Sequence, residues 1–498
     1  MFDKSPLSRL HLGPLGTKGL SRLVGKSAVR IFGALLLGAV LVLHRSWPID
    51  ARTFGGVAAM SLVAGLFVRF HLRHTSLPLE RASVAERAIW ATTMIAVLGV
   101  QVGHLALDAQ SLVRVGFLMT APLVAQAMLV SGVFGPSIGL VALTLTSLLL
   151  GFGGAMSADM TAAAWVAGAI GAHVVNPLKH RGDLTKALGV QIGAQAILAV
   201  CLTAVKTDSV WTVMESAVWA GLAAIAALSI FWLGIAVLER MFGIVSDWTL
   251  LELCSPEHPL LKDLCLRAPG THVHSIGVAN LAEGAARAIG ANPVLSRTMA
   301  YFHDVGKLAR PGYFSENQIS ENPHDELSPT LSAKIIVSHV KDGVEMARAN
   351  KVPQIVLDGI QQHHGTSLVS FFYSRALDQG VSIEDRRLAS FFRYDGPKPR
   401  SKEAAILHLA DQVEAASRTI KRGDDLVEFV RGLVESSRSD GQLDECDLSF
   451  RELKTIESSF VASLTALRHE RVHYPEQEVP TENDKDLDQE PVRKAPQL

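Results

Sequence analysis

Charge and cysteine are both scarce in this sequence. Only 19% of its 498 residues are charged, and the formal net charge is −1. So small a net charge gives no argument for binding a nucleic acid polymer. The four cysteines form no CxxC pair, and three of them lie in the more polar second half: Cys254, Cys265 and Cys446. This pattern favours free thiols in a reducing compartment over a disulfide framework.

Charged residues are rarest in one long part of the chain. Residues 30–240 are mostly apolar, whereas the rest is charged like a soluble protein. This division predicts a membrane domain over 30–240 that is followed by a soluble domain. A bilayer is crossed by about 20 apolar residues in a helix. By that measure we predict eight spans: 30–46, 54–70, 88–107, 115–133, 136–154, 161–178, 186–205 and 215–238.

Basic residues are concentrated in alternate loops of this region. They occur in the basic N-terminal segment 1–29, in the loop at 69–87 and in the loop at 179–186. The positive-inside rule places these loops, both termini and the second half in the cytoplasm, with the spans in the inner (plasma) membrane. Ionisable residues within the spans are few, which disfavours a transporter. A membrane anchor is favoured, and a sensing role is left open.

The second half shows helical periodicity and no alternating strand pattern. Segment 241–271 is predicted to be a juxtamembrane linker of short helices, interrupted at prolines. Residues 272–470 are predicted to form an all-helical domain, and the acidic tail 471–498 to be disordered. Apolar stripes and terminal Pro or Gly residues predict helices at 273–289, 293–308, 329–350, 353–364, 402–420 and 447–468. The predicted fold class is all-α, a polytopic helical membrane domain followed by a cytoplasmic all-helical domain.

Histidines occur on or at the ends of the predicted soluble helices. The central stretch is His303-Asp304-Val305-Gly306-Lys307, in which adjacent imidazole and carboxylate groups can bind one ion and the carboxylate can bridge to a second. Inward-facing side chains of a helical bundle can converge on such a site. The candidate donors are His274, His303, Asp304, His339, His363, His364 and Asp411. Seven donors exceed the needs of one tetrahedral ion and suit two octahedral ions. Ordinary core or surface histidines are the alternative, and His272, His324 and His408 are left unassigned.

Motifs between about 239 and 420 carry a family resemblance. They lie at 268–271, 274–275, 278–283, 303–307, 316–318, 322–325, 338–343, 362–366, 392–394, 396–399, 411 and 414–418. As a set they resemble the HD-domain metal-dependent phosphohydrolases. More closely, they resemble the membrane-bound HD phosphodiesterases with a seven-helix membrane module, the PgpH type, which hydrolyse cyclic di-AMP.

The resemblance implies a dinuclear centre of iron or manganese. One ion is expected at His274, His303, Asp304 and Asp411, the other at His339, His363 and His364, with Asp304 bridging. The implied substrate is a cyclic dinucleotide, above all cyclic di-AMP, cleaved to linear pApA. A water that bridges two divalent ions has a lowered pKa and can supply hydroxide. Lys307 is a catalytic candidate because it lies one helical turn beyond His303, and Arg393 and Lys398 are weaker candidates for binding substrate phosphate.

Several alternatives stay open at this point. One is hydrolysis of another nucleotide, although the cyclic di-GMP branch carries Gly-Tyr-Pro where this chain has Gly365-Thr366-Ser367-Leu368. Another alternative is a membrane receptor whose HD domain binds nucleotide without turnover. The loss of a metal donor would favour this alternative, but all seven donors are present in the sequence. Whether the chain forms a homodimer is also left open. The stretch 47–53 is short where the family typically has a large extracytoplasmic domain, so extracellular sensing is not expected.

Overall fold

The computed structural model describes residue 37 and residues 51–75, 79–106, 116–176, 181–318, 321–379, 386–419 and 425–468. The chain divides into two compact units, Met1–Glu252 and Leu253–Leu498. Where the chain is described it is almost entirely helical, and its β pairing is limited to an isolated bridge between Leu368 and Arg393. The all-α fold class predicted from the sequence is confirmed. The finer domain boundaries stay predictions.

Helices of the first unit occupy the positions of the predicted spans. They are α1 (Ala51–Arg73), α2 (Leu79–Ala106), α3 (Ala121–Phe134) after a 3-10 turn at Gly116–Thr120, α4 (Pro136–Phe152), α5 (Ala158–Val174), α6 (Arg181–Ala204) and α7 (Val210–Phe242). The first predicted span, 30–46, lies outside the described residues except for Leu37. Five described segments are long and apolar enough to cross a membrane: Phe54–Arg73, Ala82–His104, Gly116–Phe134, Gly182–Ala204 and Val210–Phe242. Helix α4 is apolar but shorter.

Helix α3 is the central element of the first unit. It packs against α2, α4, α5 and α7, and ten of its 14 residues are buried. Its buried Gln126 donates a hydrogen bond to Thr93 Oγ1 of α2 at 2.9 Å, and Thr93 Oγ1 lies 3.1 Å from Thr146 Oγ1 of α4. Polar contacts of this kind join helices within an apolar surrounding. The outward surface instead exposes large apolar side chains such as Phe67, Ile197 and Trp211.

The second unit is a helical bundle whose apolar helix faces pack on one another. Its helices, with α8 (Asp247–Leu253) at the division, are α9 (Pro259–Arg267), α10 (Pro269–Ile289), α11 (Pro293–Phe302), α12 (Pro329–Ala349), α13 (Gln354–Gln362), α14 (Ser370–Asp378), α15 (Arg386–Phe391), α16 (Lys402–Ser417), α17 (Leu426–Ser439) and α18 (Phe450–Arg468). Helix α10 packs against α11, α16 and α18, and α12 packs against α13 and a 3-10 turn at Val305–Ala309. The four cysteines are free.

Some predicted helix boundaries differ from those of the structure. The predicted break at Pro269-Gly270 falls between α9 and α10 at Ala268, and Pro269 occupies the first turn of α10, where a missing N–H costs no hydrogen bond. The helix predicted over 293–308 ends at Phe302, since the chain turns at Asp304 into the 3-10 segment. Helices α14, α15 and α17 were not predicted. The tail at 471–498 lies outside the described residues.

Candidate metal centre

The seven predicted donors lie together in the second unit. His274 is on α10, His303 and Asp304 follow α11, and His339 is on α12. The remaining three are His363 and His364, which follow α13, and Asp411, which is on α16. Burial is nearly complete at six of them, and the His364 side chain keeps 24% of its surface exposed. The folded chain therefore collects donors that are up to 137 residues apart in the sequence.

Asp304 is at the middle of this set. Its Oδ2 lies 3.2 Å from His303 Nε2 and 3.6 Å from His274 Nε2. Its Oδ1 faces the other way, 3.3 Å from His339 Nε2 and 3.7 Å from His363 Nε2. The two oxygens of this carboxylate thus face two separate groups of imidazole nitrogens. A carboxylate that bridges two ions needs this arrangement.

Three of the imidazoles are oriented in the same way. His303, His339 and His363 each donate from Nδ1 to the carbonyl three residues earlier, at 2.7, 2.6 and 2.7 Å. Each Nε2 is thereby directed inward. Metal-binding histidines are commonly held by such a bond from the other ring nitrogen, because it fixes both tautomer and ring orientation.

Two further donors are oriented by side chains. His274 Nε2 is 3.0 Å from Asp411 Oδ1, while its Nδ1 contacts the carboxylate of Glu414. His364 Nδ1 is 3.6 Å from Asp411 Oδ2, and its ring stacks on Tyr394 with centroids 4.2 Å apart. Asp411 therefore lies between an imidazole of α10 and one of the turn after α13.

Electrostatics in the centre favour a bound cation. Burial alone would lower the pKa of His303, but the carboxylates of Asp304 and Asp411 raise it to about 10. Burial and the nearby His303 lower the pKa of His363 to about 3, so its Nε2 carries a lone pair. Burial would raise the pKa of the Asp304 carboxyl, yet His303 and Lys307 hold it well below its usual value. The pocket therefore sets buried negative charge beside an unprotonated imidazole.

The donor set fits divalent metal ions. Within the described residues Asp304 Oδ1 and His303 Nε2 are buried and have no hydrogen-bond partner. Two ligands about 2.1 Å from one ion and at right angles are roughly 3 Å apart, close to the 3.0–3.7 Å separations found here. Three overlapping groups have their donor atoms within 4.8 Å of one another: Asp304 with His339, His363 and His364; His274 with His303 and Asp304; and His303 with His363 and Asp411.

Lys307 lies beside the bridging carboxylate. Its Nζ is 2.7 Å from Asp304 Oδ2 and 2.8 Å from Glu316 Oε1. Burial would lower the pKa of Lys307, but these two carboxylates raise it above its usual value, so the side chain stays a cation. Glu316 is held in turn by a hydrogen bond of 2.9 Å from Thr271 Oγ1. Lys307 therefore lies next to the donors, and its catalytic role stays a prediction.

A cavity of about 410 Å³ opens onto the donors. It is lined by His274, Lys307, Phe314, Ser315, Glu316, Ile336, His339, His364, Tyr394, Asp411, Ala415 and Arg418. Arg393 and Lys398, predicted from the sequence to bind phosphate, are not among the described lining residues. Arg393 instead forms a paired contact with Asp440 at 3.1 and 2.9 Å, and Lys398 lies 3.6 Å from Asp444.

Several residues at the centre were not proposed from the sequence as site residues. Glu414 is one turn after Asp411 on α16 and so shares its face, a spacing that could have identified it. Arg418 follows one turn later and contacts Glu414 at 3.0 Å. Of the unassigned histidines, buried His408 donates to the His363 carbonyl at 2.7 Å, and His324 bonds the Tyr313 carbonyl at 2.9 Å.

Comparisons with known proteins agree with this organisation. A model of the HD domain matches residues 271–416, and a model described as 7TM receptor with intracellular HD hydrolase matches residues 52–246. The chain is 45% identical over 285 residues to cyclic-di-AMP phosphodiesterase PgpH of Bacillus subtilis, covering 56% of this chain and 39% of that protein. It is 35% identical over 381 residues to PgpH of Listeria monocytogenes, covering 75% of this chain and 52% of that protein.

A solved structure is also similar. The crystal structure of the L. monocytogenes PgpH HD domain in complex with cyclic di-AMP is 44% identical in sequence, with a TM-score of 0.41. The matched region is 44% of this chain and the whole of the solved chain. The present chain spans 39% and 52% of the lengths of the two named bacterial relatives.

Proposed function

The chain belongs to the family of 7TM receptors with an intracellular HD hydrolase, and on this premise we propose that it is a membrane-anchored, metal-dependent phosphodiesterase that hydrolyses cyclic di-AMP to linear pApA. The observation that carries the proposal is Asp304, whose two oxygens face two separate groups of histidine nitrogens. The names of the two bacterial relatives support the choice of substrate.

We propose that the centre holds two divalent ions, iron or manganese. One would be bound by His274, His303, Asp304 and Asp411, and the other by His339, His363, His364 and Asp304. Such ions lower the pKa of a bound water and neutralise charge on a phosphoryl group. His, Asp and water positions together suit octahedral ions of this class.

The chain's own side chains then bind and orient the substrate. Lys307 lines the cavity next to the donors, so a phosphodiester placed there meets positive charge on one side. Phe314 and Tyr394 line the same cavity and offer aromatic surface to a base. Arg418 is a further cation that lines the cavity; its side chain is 45% exposed and pairs with Glu414. From this position it would bind the second phosphate of the substrate. We place Arg418 in the role first predicted for Arg393 and Lys398.

The proposed activity is tested on the full chain in detergent micelles, loaded with manganese or iron. We expect cyclic di-AMP to be converted to pApA faster than cyclic di-GMP is cleaved, and a chelator to stop the reaction until metal is returned. A fully metallated protein that binds cyclic di-AMP and releases no linear product would instead support a receptor without turnover. Cleavage of another cyclic dinucleotide alone would keep the metal chemistry and reject the substrate.

We propose that the catalytic domain faces the cytoplasm from the inner membrane. The basic loops at 69–87 and 179–186 support this orientation. Reporter fusions at Gly182 and Ala158 are expected to give opposite signals, since the two sites are separated by one predicted span. Equal signals at both sites would contradict the eight-span arrangement.

A further inference from the structure

The turn after α13 presents two of the donors. His363 and His364 are consecutive, yet His363 Nε2 faces Asp304 whereas His364 Nδ1 faces Asp411. Gly365 follows with φ +52°, in the left-handed region, and its N–H donates to the Gln362 carbonyl at 2.9 Å. The direction of both imidazoles therefore depends on how this short turn is held.

Gln442, in the connection between α17 and α18, holds the turn from outside. It is 1% exposed, and its Oε1 accepts from the Thr366 backbone N–H at 2.8 Å. Its Nε2 donates to Thr366 Oγ1 at 3.1 Å and to Asp440 at 2.7 Å. A Cβ at Gly365 would come within 2.3 Å of Gln442 Oε1, so the amide lies directly against the turn.

Asp440 adds a second contact to the same turn. Its carboxylate pairs with both terminal nitrogens of Arg393, and Arg393 Nη1 also donates to the Thr366 carbonyl at 2.7 Å. The residue after Arg393 is Tyr394, whose ring stacks on His364. Arg393 therefore links Asp440 to the backbone that carries His364.

A separate series of hydrogen bonds runs from α17 to His363. Ser437 Oγ donates to Gln412 Oε1 at 2.9 Å, and Gln412 Nε2 is 2.7 Å from His408 Nε2. His408 Nδ1 then donates to the His363 carbonyl at 2.7 Å. Segment 437–442 thus reaches the turn by two independent routes, although it lies beyond the matched HD domain, which ends at residue 416.

We infer that Ser437, Asp440 and Gln442 position His363 and His364 for metal binding, with Gln442 as the main positioning residue. The inference rests on the proposed dinuclear centre. Removing partners that orient metal ligands typically weakens metal binding or activity about 10- to 100-fold. The ion at His339, His363 and His364 should be affected selectively, because the turn does not carry His274 or His303.

The test is a calorimetric titration with Mn²⁺ of the full chain, stripped of metal and held in detergent micelles. For Gln442→Met and Asp440→Ala we expect one of the two binding events to weaken about 10- to 100-fold, the other to keep its affinity, and helicity to be unchanged. Saturating Mn²⁺ should restore hydrolysis. Arg438→Ala is the matched control, because Arg438 is exposed and pairs with Glu435 of its own helix.

Three outcomes would overturn the inference. Wild-type affinity for both ions in Gln442→Met would remove the positioning role. Equal weakening of both ions without recovery at saturating Mn²⁺ would mean general structural damage. A wild type that binds no Mn²⁺ would reject the dinuclear centre itself, and so is distinguishable from the first two. If Gln442→Met does not fold, Asp440→Ala decides, since the Asp440 side chain is at the surface with 36% exposure.

Discussion

Replacing Asp304 by alanine is expected to abolish hydrolysis of cyclic di-AMP rather than only raise KM. The carboxylate is the shared neighbour of both histidine groups, so its removal should weaken both ions at once. Loss of a single electrostatic stabiliser commonly costs about 100- to 1,000-fold in kcat, and we expect at least that here. The measurement is kcat and KM for cyclic di-AMP, with metal content determined on the same samples.

Lys307→Ala is the matched comparison for this prediction. Lys307 contacts the same carboxylate, at 2.7 Å, but is a cation and cannot ligate a divalent ion in that form. We expect it to keep its metals and to lose less rate than Asp304→Ala. An Asp304→Ala protein that is helical and turns over near the wild-type rate would contradict the dinuclear mechanism.

The metal donors of this centre could be predicted from the sequence for a physical reason. His303-Asp304 and His363-His364 are paired donors at helix ends, and His274, His339 and Asp411 lie on helices with clear apolar faces. A helical bundle directs such faces to one interior, so local periodicity was enough to predict that the donors meet. The structure brings all seven together.

The partners that hold the donors could not be predicted in the same way. The sequence predicts Arg393 as a phosphate-binding candidate because it shows the charge of this residue but not its partner. Asp440, which contacts it, is 47 residues further along the chain and belongs to the turn after α17, a helix that was not predicted. Long-range pairing of a surface cation leaves no periodic signal. Glu414 differs, because its spacing of three residues from Asp411 follows the helix repeat.

Helix ends were also less predictable than helix faces. Pro269 both follows a break in the chain and starts a helix, because α9 ends at Arg267 and α10 begins at Pro269 and packs against α16 and α18. The 3-10 turn at Val305–Ala309 similarly depends on α12, which packs directly on it. Tertiary contact, which local sequence does not record, fixed these boundaries.

Gly306→Ala is expected to disrupt both the fold and the metal centre. A Cβ at residue 306 would lie 1.9 Å from the His339 carbonyl oxygen and 2.4 Å from the Gly343 nitrogen. Both are backbone atoms of α12, so no side chain can move aside to make room. The requirement at Gly306 is therefore space for the close approach of α12 to the 3-10 turn.

Helix α12 must move away to admit the methyl group, and it carries His339. The 3.3 Å separation between His339 Nε2 and Asp304 Oδ1 would then increase, which weakens the ion shared by these two donors. Overpacking of a well-packed interior commonly costs about 1–3 kcal/mol, and backbone contacts this short should reach at least that range. For a domain of 150–250 residues each kcal/mol lowers Tm by about 2–4 °C.

The control for this change is Gly312→Ala, because a Cβ at Gly312 meets nothing within 4 Å. Thermal unfolding of the metal-free proteins separates the stability effect from the binding effect, and Mn²⁺ titration then measures the latter. We expect Gly312→Ala to match the wild type in both, and Gly306→Ala to have a lower Tm and a weakened second ion. A Gly306→Ala protein with wild-type Tm and two tightly bound ions would show that α12 can move without displacing His339. In that case the metal centre would not require a glycine at position 306.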